Sequence, residues 1–105
     1  MDKEFVKNRI MTIRNQHNIS ARSLSLDLGM SSEYINQVEN GRLMPSLDFV
    51  LNFCDYFQIS IAEFFDEKNT HPTEYKEIIE ELNTLNHEEL KQITELIKLI
   101  NSYKK

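Results

Sequence analysis

The chain has few of the residues that break regular structure or cross-link a fold. Its 105 residues include two glycines, two prolines, one cysteine and no tryptophan. So few glycines and prolines argue against a turn-rich β-architecture and favour helices. The single cysteine, Cys54, excludes an internal disulfide and indicates a reducing compartment.

Long apolar runs and an excess of basic residues are also lacking. No apolar stretch approaches the about 18–20 residues that span a bilayer, and the charged start MDKEFVKNRI has no apolar signal core. We therefore expect a soluble, cytoplasmic protein with no membrane partner. The net charge is −5, with six basic against eight acidic residues in 1–65 and six against nine in 66–105. A nucleic-acid partner must then be attracted by a local basic patch, because the overall charge is unfavourable.

The residue patterns of enzymes and cofactor sites are missing. His17, His71 and His87 lack metal-ligand spacing, and HEEL lacks the second histidine of a zinc helix motif. Cys54 lies on an apolar stripe, and no nearby base points to a thiol nucleophile. We predict that the protein is not an enzyme, needs no cofactor or metal, and has no small-molecule ligand that the sequence can specify.

Apolar residues recur at helical spacing through the first two thirds of the chain. A helix over about residues 3–17 carries Val6, Ile10 and Ile13 on one face. Asn18 tolerates the left-handed conformation that ends such a helix. The spacing predicts four more helices, each preceded by a serine that can accept a bond from the free amides of the next turn: Ser20, Ser31, Ser46 and Ser60. Gly29 and Gly41 are predicted to end the second and third helices, since glycine takes a positive φ without strain.

The fourth helix is apolar over much of its circumference and is predicted to be central. One stripe contains Leu47, Val50, Leu51, Cys54 and Phe57, and a second contains Phe49, Phe53 and Tyr56. The short fifth helix, ISIAEFF, is expected to direct Ile61, Phe64 and Phe65 inward.

The polar stretch DEKNTHPTE marks a predicted domain boundary. We expect one domain over residues 1–66, a linker over 67–73 and a helical hairpin over 74–105. Asn86 with Glu89 resembles a capping box at the start of the last helix. That helix carries a continuous apolar face, predicted to form a dimer interface: Leu90, Ile93, Leu96, Ile97 and Ile100. Packing of this face on the same chain remains an alternative.

Two short capped helices joined by a glycine turn form a helix-turn-helix unit, whose second helix enters the DNA major groove. The stretch ISARSLSLDLGMSSEYINQVENGRLMPSLDFVLNFCDYFQISIAEFF resembles the Cro and lambda-repressor type helix-turn-helix family, also called the xenobiotic-response-element family. The resemblance covers about residues 5–65. It implies an all-α protein with a five-helix lambda-repressor-like domain, here followed by the helical hairpin.

The resemblance also implies functions for single residues. The side chains expected to face base edges are Ser31, Ser32, Glu33, Asn36 and Gln37. Tyr34 is expected near the DNA backbone. Arg22, Asn40 and Arg42 are expected at phosphates, and Lys7 and Arg9 are further candidates. Arg14 and Glu39 match a structural pair that ties the first helix to the third.

The chain departs from the family pattern at two positions. Ala21 replaces the usual glutamine, and Ser25 stands where alanine is common; a hydroxyl there is tolerable if it bonds back to a helix carbonyl. Because the recognition helix has no lysine or arginine, we expect weak binding per monomer and a dimer on a palindromic operator, acting as a repressor. The alternative is a protein-binding regulatory module of the same fold with little affinity for DNA.

Overall fold

A computed structural model describes residue 2 and residues 4–104. All regular elements in this part of the chain are helices: α1 (Glu4–Gln16), α2 (Ala21–Asp27), α3 (Tyr34–Glu39), α4 (Leu47–Phe57), α5 (Ile61–Phe65), α6 (Pro72–Leu82) and α7 (His87–Ser102). The predicted all-α fold class is confirmed. The chain divides into two compact units, Met1–Thr73 and Glu74–Lys105.

The core of the first unit joins α1 to the helix-turn-helix pair and to α4 and α5. The fully buried side chains that build it come from five helices: Ile10, Ile13, Leu24, Ile35, Val38, Phe53 and Phe64. The ring of Phe53 is central, with centroid distances of 4.8 Å to Phe57 and 5.8 Å to Phe64. Burying aromatic side chains in this way contributes a large share of the hydrophobic stabilisation of a small domain.

Only part of the apolar surface of α4 and α5 is buried. The buried side of α4 carries Phe49, Val50, Phe53, Cys54 and Phe57, as predicted. Leu47 and Leu51, which share an apolar stripe of α4 with these residues, are in contrast 65% and 42% exposed. Ile61 is 38% exposed, so its prediction as an inward residue was wrong. The large rings fix which side of α4 faces the core, and Leu47 and Leu51 lie at the flank of that arc.

Most helix starts follow the local capping signals. The side chains of Ser20, Ser46 and Ser60 each accept a hydrogen bond from the amide three residues later, which confirms the three predicted N-caps. Asn86 and Glu89 complete a capping box at α7, as predicted. The predicted cap at Ser31 is wrong, because α3 begins only at Tyr34 after Glu33, which makes no side-chain capping bond.

Residues 67–73, the predicted linker, lie against the first unit. Asn69 and Pro72 are buried. The Gln16 side chain donates to the Thr70 carbonyl at 2.9 Å, and a ring nitrogen of His17 lies 3.1 Å from the Thr73 hydroxyl. The compact first unit thus extends to Thr73.

The second unit consists of most of α6, a turn over residues 83–86, and α7. None of its described residues is buried. Ile78, Leu82, Leu85 and Ile93 line a shallow apolar groove within this unit. The remaining apolar face of α7 is about half exposed at each of four residues: Leu96, Ile97, Leu99 and Ile100.

None of the helices in the described part of the chain is long and apolar enough to cross a membrane.

Candidate nucleic-acid interface

A glycine turn sets the direction of α3 relative to α2. Gly29 has φ of 75°, and its amide donates to the Leu26 carbonyl at 3.0 Å. The next amide, of Met30, donates to the Ser25 carbonyl at 2.9 Å. A Cβ added at Gly29 would meet nothing within 4 Å, so the glycine is required by backbone conformation and not by lack of space.

The start of α3 is held by a side chain from α2. Ser25 is fully buried; its hydroxyl donates to the Ala21 carbonyl at 2.7 Å and accepts from the Ile35 amide at 3.0 Å. The bond from Ser25 to a helix carbonyl, the condition under which a serine is tolerated at this position, is therefore present. The second bond supplies the cap that α3 lacks locally. Nothing in the local sequence indicates it, because the two residues are brought together only by the turn.

The end of α3 is held by α1. Arg14 donates from Nε and Nη2 to both carboxylate oxygens of Glu39 at 2.7 and 2.9 Å, and its Nη1 donates to the Ile19 carbonyl at 2.7 Å. The two side chains are only 15% and 8% exposed. The hydrogen bond with Glu39 raises the pKa of Arg14, against the opposing effect of burial. Bidentate geometry of this kind fixes orientation as well as charge.

Between these two ends, α3 presents one buried and one exposed face. Ile35 and Val38 are fully buried. Asn36, Gln37 and Asn40 are exposed. Among the described residues, no group forms a hydrogen bond with the side-chain amides of Asn36 and Gln37, whose donors and acceptors therefore face solvent.

The three residues before α3 form its approach. Ser31 and Glu33 are exposed and Ser32 is half-buried. The Ser31 carbonyl accepts from the Tyr34 amide at 3.1 Å, which makes this approach a tight turn. Their side chains lie at the amino-terminal end of the polar face.

Tyr34 is tied to the core as well as to the surface. Its ring packs on Phe49 with a centroid distance of 4.7 Å, and it is half-buried. Burial raises the pKa of Tyr34. This residue therefore joins the start of α3 to α4.

The predicted phosphate-contacting cations divide into two groups. Arg22 and Arg42 are exposed, whereas Lys7 is half-buried and pairs with Glu4 at 2.6 Å. Arg9 is 6% exposed, and its guanidinium donates to the carbonyls of Glu63, Phe64 and Asp66 at 2.8–3.1 Å. Burial lowers the pKa of Arg9, opposed by the charge of Asp66.

Arg9 is therefore not a phosphate contact, and that sequence expectation was wrong. Its guanidinium satisfies the free carbonyls at the end of α5, which a helix this short cannot satisfy itself. The partners lie 54–57 residues away in sequence, so no local pattern identifies them.

Comparisons with known proteins agree with this geometry. Residues 10–64, more than half of the chain, match the family model described as helix-turn-helix. The chain is 30% identical over 60 residues to an uncharacterized HTH-type transcriptional regulator of Methanocaldococcus jannaschii, covering 57% of this chain and 91% of that protein. No solved structure matches the chain at a significant level. The protein therefore belongs to the helix-turn-helix family.

Proposed function

We propose that the protein is a sequence-specific, double-stranded DNA-binding transcriptional regulator that places α3 in the major groove. The observation that carries this proposal is the polar face of α3. It exposes the side-chain amides of Asn36 and Gln37, which no described residue engages, on a helix whose two ends are held by Ser25 and Arg14. A rigid helix with free hydrogen-bonding groups is what reading of base edges requires. The relative described as a transcriptional regulator supports the same function.

The residue types on this face have definite partners in DNA. Asn36 and Gln37 can each bind adenine through two hydrogen bonds, and Ser31 and Ser32 can contact several bases. Glu33 can accept from the amine of cytosine but is repelled by nearby phosphates. Arg22, Asn40 and Arg42 are exposed around α2 and the end of α3, where they can donate to phosphates and fix the register.

The charge distribution makes binding by one protomer weak. Only Arg22 and Arg42 are exposed cations close to α3 in sequence, and the net charge of the chain is −5. Two protomers on half-sites about 34 Å apart add their contacts. We propose a homodimer on an approximately palindromic operator, which represses transcription by occluding the promoter.

The dimer is proposed to form through α7. Its interface residues are Leu90, Ile93, Leu96, Ile97 and Ile100, of which all but Ile93 are between 37% and 52% exposed. A run of half-exposed apolar side chains on one helix face is typical of a protein–protein interface. A second copy of the same face is the occupant that the proposed operator symmetry requires.

Size-exclusion chromatography with light scattering tests the dimer. Ile97→Asp places a charge on the apolar face and should give a monomer. Lys91→Asp, on the exposed polar face of the same helix, should leave the dimer intact. An Ile97→Asp protein of unchanged size would move the interface elsewhere, and a monomeric wild-type protein would remove the dimer from the proposal.

Random-site selection followed by a salt titration tests DNA binding. The wild-type protein should enrich a duplex, and the logarithm of the binding constant should fall with a slope of about −3 to −4 against the logarithm of salt concentration, for two phosphate-contacting cations per protomer.

Because α3 has no cation and the chain is acidic, the rival function is a protein-binding regulatory module. Absence of any saturable duplex binding at low salt would favour that rival.

A further inference from the structure

The recognition helix is too short to hold its own shape. α3 has six residues, fewer than two turns. Isolated helices of this length are not stable in water, because the nucleation cost exceeds the few bonds gained. Its orientation therefore depends on the burial of Ile35 and Val38 in the core and on the contacts at its two ends.

The two ends are held in different ways. At the carboxy-terminal end, Arg14 binds Glu39 through two charged hydrogen bonds and the Asn40 amide donates to the Asn36 carbonyl at 2.9 Å. At the amino-terminal end, Glu33 gives no side-chain cap, and the Ile35 amide donates to the hydroxyl of Ser25 at 3.0 Å. Ser25 itself is fixed by its bond to the Ala21 carbonyl at 2.7 Å.

Loss of the Ser25 hydroxyl therefore has a local consequence. The Ile35 amide would be left buried without a partner, a state that a protein avoids by distorting or opening the turn. The side chains displaced by such opening are those of the first turn of α3 and its approach. Those beyond Glu39 would stay in place, because the Arg14 pair is unaffected.

We infer that Ser25 is a positioning residue for DNA reading: it caps α3 from α2 and so fixes the base-contacting side chains at the start of the helix, without touching DNA. This inference depends on the proposed function. If the inference is correct, loss of the Ser25 hydroxyl changes base discrimination but not the salt dependence of binding, whereas a general loss of stability would change both. Discrimination between operator and altered duplex depends on the first turn of α3, whereas the salt dependence comes from phosphate contacts at Arg22 and Arg42.

The experiment compares Ser25→Ala with wild type, using the duplex that wild type selects and single-base variants of it. Ser25→Ala should lose about tenfold in discrimination at the base pairs that the start of α3 contacts, the size of one good base contact. Its salt slope should remain that of wild type. Ser23→Ala, on the exposed side of the same helix, is the matched control and should change neither quantity.

Rescue and hydrogen exchange complete the test. Ser25→Thr keeps the hydroxyl and should restore wild-type discrimination, whatever its extra methyl group does to stability. In free wild-type protein, the Ile35 amide should exchange more slowly than the solvent-facing amides around it. Unchanged discrimination in Ser25→Ala, no rescue by threonine, or an unprotected Ile35 amide would overturn the inference. Failure of wild type to select any duplex would instead remove the proposed function on which it depends.

Discussion

The ion pair between Arg14 and Glu39 allows a quantitative prediction about what holds α3 to α1. Exposed ion pairs contribute about 0–1 kcal/mol, whereas removing one partner of a fully buried pair costs about 3–5 kcal/mol. The side chains here are 15% and 8% exposed, and Arg14 makes a third hydrogen bond to Ile19. We therefore expect Arg14→Met to lower the free energy of unfolding by about 2–3 kcal/mol, between those two limits.

A double-mutant cycle isolates the pair from the other contacts of each side chain. Urea denaturation of Arg14→Met, Glu39→Met and the double variant should give a coupling energy of about 1.5–2.5 kcal/mol. In thermal unfolding, Arg14→Met should lower Tm by about 10–20 °C, the shift expected for that loss in a domain of this size.

The pair between Lys7 and Glu4 provides the matched control within the same unit. It joins residues three apart on α1, with side chains 27% and 61% exposed. Its coupling energy should not exceed about 0.5 kcal/mol. If the Arg14–Glu39 coupling were equally small, burial and bidentate geometry would not be what attaches α3 to α1, and that explanation would be wrong.

Three further predictions concern other features of the first unit. Gly29→Ala should lower the free energy of unfolding in urea by about 1–2 kcal/mol, because alanine is strained at positive φ. Gly29→Asn should lower it by less, and an equal decrease in the two variants would indicate a packing effect instead. Arg9→Met should lower the free energy of unfolding by about 1–3 kcal/mol, because it leaves carbonyls at the end of α5 without donors. At a temperature where the variant is folded, its affinity for a selected duplex should equal that of wild type. A selective loss of duplex affinity would place Arg9 in the DNA interface after all. Burial raises the pKa of the Cys54 thiol to about 11 from an ordinary value of 9.0, with Asp55 and Glu63 adding to the shift. The unfolded state therefore loses its thiol proton first as pH rises, so this contribution to stability should be constant below about pH 8 and fall between about pH 9 and 11; a Cys54→Ala variant with the same decline would show that another group causes it.

Signals within a few residues of each other predicted the fold well. The serines at 20, 46 and 60 and the Asn86–Glu89 box are caps whose donors and acceptors lie three residues apart, so the sequence displays both partners. Asn18 and Gly29 take the positive φ expected of them. Gln58 also has a positive φ, of 57°, which no residue preference indicated.

Contacts between residues distant in sequence explain the errors. Ser31 looked like a cap because it precedes α3, but Ser25 from the neighbouring helix occupies that function. Arg9 looked like an exposed cation because its carbonyl partners follow more than 50 residues later. Leu47 and Leu51 fitted a helical stripe, yet the aromatic cluster decided which side of α4 is buried. Periodicity gives an apolar arc, and only the packed core determines its centre.

The placement of the polar face of α3 against DNA can be tested directly. Base-preference profiles should be determined by random-site selection for wild type, Gln37→Ala and Asn52→Ala, the last removing an exposed amide from α4. We expect Gln37→Ala to fold normally and to lose preference at one pair of symmetry-related positions, by about 1–3 kcal/mol per base pair. Asn52→Ala should keep the wild-type profile. A Gln37→Ala profile identical to that of wild type would contradict the placement of this face against DNA.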